Sequence, residues 1–97
     1  MIVSGKNMYF VYVLESMKDH GWYIGFTERI EGRLEDHNSG KNLSTKNRRP
    51  FKMIYYEAYV EKLDALGREK FLKSGGGRRF LIKQMAHYLK EKHGFES

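Results

Sequence analysis

The chain has 97 residues, no cysteine, and 18 Lys and Arg against 12 Asp and Glu, for a formal net charge of +6. That length suits one compact domain, and the missing cysteines exclude disulfides and thiolate metal sites, leaving oxygen and histidine nitrogen as metal ligands. No apolar run approaches the ~18 residues of a membrane span and no signal peptide is visible, so a cytoplasmic protein with no membrane partner is expected.

Residues 1–7 carry little pattern and are expected to be a disordered extension ahead of a single domain over residues 8–93, with 94–97 a tail. Residues 8–15 (MYFVYVLE) are β-branched and aromatic and read as a strand. A polar turn ending at Gly21 leads into a second strand, 22–26 (WYIGF), and the two form an antiparallel hairpin. Thr27 is the expected N-cap of a helix running to about Ser39, with Glu28 and Glu31 near its positive end and Gly40 as its stop.

Residues 41–52 form a polar loop, and MIYYEAYV (53–60) reads as a third strand. Residues 62–73 are helical. Gly75-Gly76-Gly77 reads as a helix-to-helix hinge, because it lacks the setting and the Lys-Ser/Thr ending of a phosphate-binding loop. A last helix, 78–93, follows, with Leu81, Met85, Tyr88 and Leu89 at helical spacing. The order β-β-α-β-α-α implies an α+β fold: a small three-stranded antiparallel or mixed sheet flanked by about three helices.

Basic residues cluster. From Lys41 to Lys52 there are five (Lys41, Lys46, Arg48, Arg49, Lys52) and no acid. A second cluster holds Arg68, Lys70, Lys73, Arg78, Arg79 and Lys83, with Glu69 its one acid. Such clusters suit a polyanionic partner or a solvated basic surface.

Phe10-Val11-Tyr12 in the first strand and Tyr23-Ile24-Gly25 in the second set two tyrosines eleven residues apart on hairpin neighbours. Arg33 follows Gly25 by eight residues, and Glu69 lies in the segment Ala65-Leu66-Gly67-Arg68-Glu69. These residues resemble the signature of the GIY-YIG endonuclease superfamily, with the second half matched letter for letter and the first half FVY in place of GIY. The stretch Arg48-Arg49-Pro50-Phe51 resembles the small single-domain members. The similarity extends from residue 8 to about residue 83. The family includes the N-terminal nuclease domain of a bacterial excision-repair subunit, homing endonucleases and some restriction enzymes.

The resemblance implies a metal-dependent endonuclease that cuts phosphodiester bonds in DNA, with DNA repair among the pathways served. RNA, branched structures and a protein partner that supplies specificity stay open. Phosphodiester hydrolysis needs an activated water and stabilised phosphoryl charge. Glu69 is the expected ligand of Mg²⁺ or Mn²⁺, against an i,i+4 ion pair with Lys73. Arg33 is the expected phosphate clamp, against a surface pair with Asp36 or Glu35. His37, one turn on, shares Arg33's face and is placed to bond a tyrosine hydroxyl or the phosphate.

Tyr12 and Tyr23 are both candidate bases. The resemblance favours Tyr12, with cationic neighbours expected to lower its pKa. Gly25 is a position where a side chain would block the site. Lys46, Arg48, Arg49 and Lys73 are expected to contact nucleic acid, while Asn38 is expected to cap its helix. A catalytically inactive GIY-YIG-like nucleic-acid-binding module and a small basic structural protein are the alternatives.

Overall fold

The structure, a computed structural model, describes residues 8–93, so the expectations for 1–7 and 94–97 lie outside the described residues. Three strands, β1 (Tyr9–Ser16), β2 (Trp22–Thr27) and β3 (Phe51–Tyr59), form an antiparallel sheet in the order β2-β1-β3. Among the described residues four helices accompany it: α1 (Arg33–Asn38), α2 (Lys62–Leu72), α3 (Gly75–Gln84) and α4 (Ala86–His93), with a 3-10 turn at Lys46–Arg48. This is the α+β class read from the sequence, with one helix more.

β1 is central, and Val11–Ser16 are all buried because helices cover both sheet faces. Side chains alternate along a strand. Val11 and Val13 therefore pack with Ala65, Leu72, Leu81 and Met85 from α2, α3 and the α3–α4 junction, while Tyr12 and Leu14 pack on the other face with Phe51, Ile30 and Leu34. Buried Glu15 accepts hydrogen bonds from Tyr88 Oη at 2.5 Å and Trp22 Nε1 at 3.4 Å, with Lys92 Nζ at 3.5 Å. Those contacts tie α4 to the sheet.

Four expectations are corrected. Thr27 does not cap a helix: its hydroxyl bonds the backbone of Arg29 within a turn, and α1 begins only at Arg33, after Gly32 at φ 80°. Asn38 does not cap α1 either. Its amide donates to Phe51 O at 2.9 Å and accepts from Phe51 N at 2.7 Å, which starts β3 two residues before the expected position and staples α1 to it.

The triple glycine is the first turn of α3 rather than a hinge, with Ser74 Oγ accepting from Gly77 N at 3.2 Å as the N-cap. A Cβ at Gly77 would lie 2.0 Å from Phe71 O, so the glycine permits α3 to press against the end of α2. The last helix is two helices, because Met85 leaves helical geometry while its side chain enters the core.

Candidate functional site

The site is built on the α1 face of the sheet. Tyr12 comes from the middle of β1, and Arg33 and His37 come from successive turns of the six-residue α1. The i,i+4 spacing aims both α1 side chains at the sheet. Arg33 Nε donates to Tyr12 Oη at 3.0 Å, and Tyr12 Oη lies 2.9 Å from His37 Nε2. On its far side, His37 Nδ1 lies 2.8 Å from Thr45 Oγ1, and that hydroxyl donates to Asn42 O at 3.5 Å.

The network assigns the tautomer. With the Thr45 proton directed at a carbonyl, Nδ1–H donates to Thr45, and Nε2 accepts the Tyr12 proton. Tyr12, His37 and Thr45 are fully buried. Thr45 lies in the polar loop 41–52, and no periodicity or motif in the sequence marks it for burial.

Burial dominates the electrostatics. It pushes the Tyr12 phenol above its ordinary value of 10.0, outweighing the Arg33 guanidinium that pulls it down. The expected cationic pull from Arg33 is therefore present, but burial exceeds it. Burial, reinforced by Arg33, holds His37 below its ordinary 6.5. Both groups are neutral near pH 7, which suits the hydrogen bond between them.

Tyr23 joins this group through its ring, with centroids 6.3 Å from Tyr12 and 5.0 Å from His37. Gly25 pairs with Tyr12 across the hairpin, and a Cβ there would meet Tyr12 Oη at 2.5 Å and Tyr23 at 3.0 Å. The glycine thus leaves space for the Tyr12 phenol. A cleft of about 390 Å³ opens beside Tyr23, between the β2 edge and the α2–α3 junction, with Lys73 and Arg78 on its wall.

Glu69 projects from α2 with a side-chain exposure of 20% and pairs with Lys73 Nζ at 3.0 Å. Its charge adds to the upward push on Tyr12. Arg33 reaches Asp36 at 3.9 Å in addition to Tyr12. The expected nucleic-acid contacts separate into two sets. Lys46 and Arg49 are exposed beside a polar groove with Lys18 and Asn47. Arg48 instead binds Asp19 at 2.9 Å and lies over the Phe51 ring at 5.6 Å. Arg68 likewise binds Glu57 at 2.8 Å and sits over Phe80 at 4.5 Å.

A three-stranded antiparallel sheet carrying a Tyr12–Arg33–His37 group, with the acidic Glu69 on α2, makes this a small α+β domain with its polar centre on one sheet face. The chain belongs to the GIY-YIG family, whose catalytic domain matches residues 8–80. It is 34% identical over 87 residues to the UPF0213 protein YazA of Bacillus subtilis, covering 89% of this chain and 82% of that one. It is 37% identical over 67 residues to the UPF0213 protein SH2523 of Staphylococcus haemolyticus, covering 68% and 80%. Among solved structures it is similar to the UPF0213 protein BH0048 of Bacillus halodurans, with a TM-score of 0.51 and 32% identity over 79% of this chain and 84% of that one. Among the described residues, no helix is long and apolar enough to cross a membrane.

Proposed function

We propose that the protein is a divalent-metal-dependent endonuclease that hydrolyses phosphodiester bonds in DNA. Family membership supports the nuclease class. The observation that carries the mechanism is the Tyr12 hydroxyl held between Arg33 Nε and His37 Nε2. Arg33 is the phosphate clamp, since its terminal nitrogens extend beyond the Nε that engages Tyr12. Tyr12 Oη takes a proton from the attacking water as the water oxygen bonds to phosphorus. The Tyr12 proton passes to His37 Nε2, and Thr45 steadies the resulting imidazolium through Nδ1–H. The leaving oxygen departs with the electron pair of the broken P–O bond.

Burial disfavours both tyrosinate and imidazolium. The two proton transfers are therefore concerted with bond formation, so that neither charge stands alone. Tyr23 orients the water or phosphate, and Gly25 leaves room for the Tyr12 phenol.

Among the described residues, no three His, Asp or Glu side chains gather. One carboxylate, Glu69, fits Mg²⁺ or Mn²⁺, which retain several waters and use the substrate phosphate as a further ligand. When bound there, the ion supplies Lewis-acid stabilisation of phosphoryl charge. Lys73, paired with Glu69 here, would be released to contact a phosphate if that carboxylate held the metal. Lys46 and Arg49 contact the flanking backbone. The presence of Tyr12, Tyr23, Arg33 and Glu69 together speaks against an inactive binding module. Plasmid nicking that needs Mg²⁺ or Mn²⁺ and stops with chelator is the expected result, while equal nicking in chelator would rule out the metal.

A further inference from the structure

The first half of the signature departs from its family pattern at Phe10, where glycine is expected, and this departure has a structural setting. Phe10 lies two residues before Tyr12 on β1, so both side chains share one face and stand about 7 Å apart along the strand. Phe10 pairs with Thr27 on β2 and Ala58 on β3, and Tyr12 pairs with Tyr56. The Phe10 and Tyr56 rings meet edge to face at 6.1 Å and 63°. Tyr56 is 55% exposed, and Ala58 beside it is exposed as well. The α1-side core gathers around Tyr12, Leu14 and Phe51, and neither Phe10 nor Tyr56 belongs to it. An aromatic pair, with Tyr56 exposed and Phe10 half-buried, therefore adjoins the Tyr12–Arg33 centre.

We propose that Phe10 and Tyr56 form a stacking platform for one unpaired base beside the scissile phosphate, so that the site takes single-stranded nucleic acid in preference to fully paired duplex. This rests on the nuclease reading. With the phosphate on Arg33, the group that follows along the substrate within reach of Phe10 is a base. A base inside a duplex has both faces covered by its neighbours and cannot offer one to a protein ring. An unpaired base can, and aromatic side chains on a sheet are a general means of holding it. A second copy of this chain is the competing occupant, but the platform is small and continuous with the phosphate-binding centre, which favours the substrate strand.

The test uses the full chain without divalent metal, so that binding is read without cutting. Anisotropy compares a single-stranded oligonucleotide with its duplex at one salt concentration, for wild type and Tyr56→Leu, which keeps apolar bulk but removes the ring. Wild type should bind the single strand more tightly. Tyr56→Leu should weaken that binding about 5- to 150-fold, the range for losing one stacked base, with duplex affinity unchanged. A 2-aminopurine in the strand should be quenched by wild type and not by the variant. Equal single-strand affinity of the two proteins, or an equal loss on duplex, overturns the platform while leaving the nuclease reading intact. No binding of wild type to either nucleic acid removes both. A wild-type dimer in sedimentation that Tyr56→Leu dissolves, with unchanged DNA affinity, makes the face a protein interface and overturns the proposal.

Discussion

At the residue scale, Tyr12 and Tyr23 are unequal. Tyr12 is fully buried with partners on both sides of its hydroxyl, whereas Tyr23 lines an open cleft. Tyr12→Phe removes the proton acceptor and should slow single-turnover cleavage by ~10²–10⁴-fold. It also strips His37 Nε2 of its partner, so thermal melts should register a loss of roughly 1–3 kcal/mol, the cost of an unsatisfied buried group. Tyr23→Phe should cost less on both measures. If Tyr23→Phe is the more damaging to rate, the base lies on β2 instead.

At the scale of elements, α3 invites a contrast between two glycines of one turn. A Cβ at Gly75 would have only the end of the Arg79 side chain, at 3.7 Å, for company, whereas one at Gly77 would strike the α2 backbone. Gly75→Ala should therefore stabilise by about 0.5–1 kcal/mol, and Gly77→Ala should destabilise by more than that, as read by denaturant midpoints. The α1–loop contact makes a separate prediction. His37 has a folded pKa below its ordinary 6.5, so the unfolded chain takes the proton first as pH falls. Its contribution is fully present above about pH 6.5 and is lost progressively below it. Melting temperature should fall on going from about pH 7 to about pH 5, and His37→Gln should flatten that fall. An unchanged slope in the variant would assign the loss to other groups.

These elements also show what the sequence could reveal. The hairpin was legible from its strand pattern, and the shared face of Arg33 and His37 from the helical i,i+4 repeat, whereas their meeting with Tyr12 was expected only through the resemblance to the GIY-YIG signature. The start of α1 was not, since the hydroxyl of Thr27 serves a turn and a cap equally well. Thr45 was not legible either, because its burial follows from where the loop folds relative to α1. The triple glycine was misread because its weak helix propensity is overridden by the Ser74 cap and by close contact with α2. Arg48 and Arg68 counted as free cations in the sequence, yet their acidic partners Asp19 and Glu57 are distant along the chain.

On the scale of the whole molecule, the basic excess should show as counterion release. With about five phosphate contacts, log affinity for DNA should fall against log salt with a slope near about −4.5. Lys46→Ala and Arg49→Ala should each reduce that slope by about 0.9, and Arg48→Ala should not, because its charge is engaged by Asp19. A slope near zero for the wild type would remove nucleic acid as the partner.

In the proposed hydrolytic centre Glu69 holds the metal and other groups hold the DNA. The most direct measurement is cleavage and binding on the same preparation of Glu69→Ala, with thermal melts to verify folding. Glu69→Ala should bind DNA as tightly as wild type or slightly more so, because a repulsive carboxylate is gone, while Mg²⁺-dependent cleavage disappears. Cleavage by folded Glu69→Ala at the wild-type rate would contradict the account.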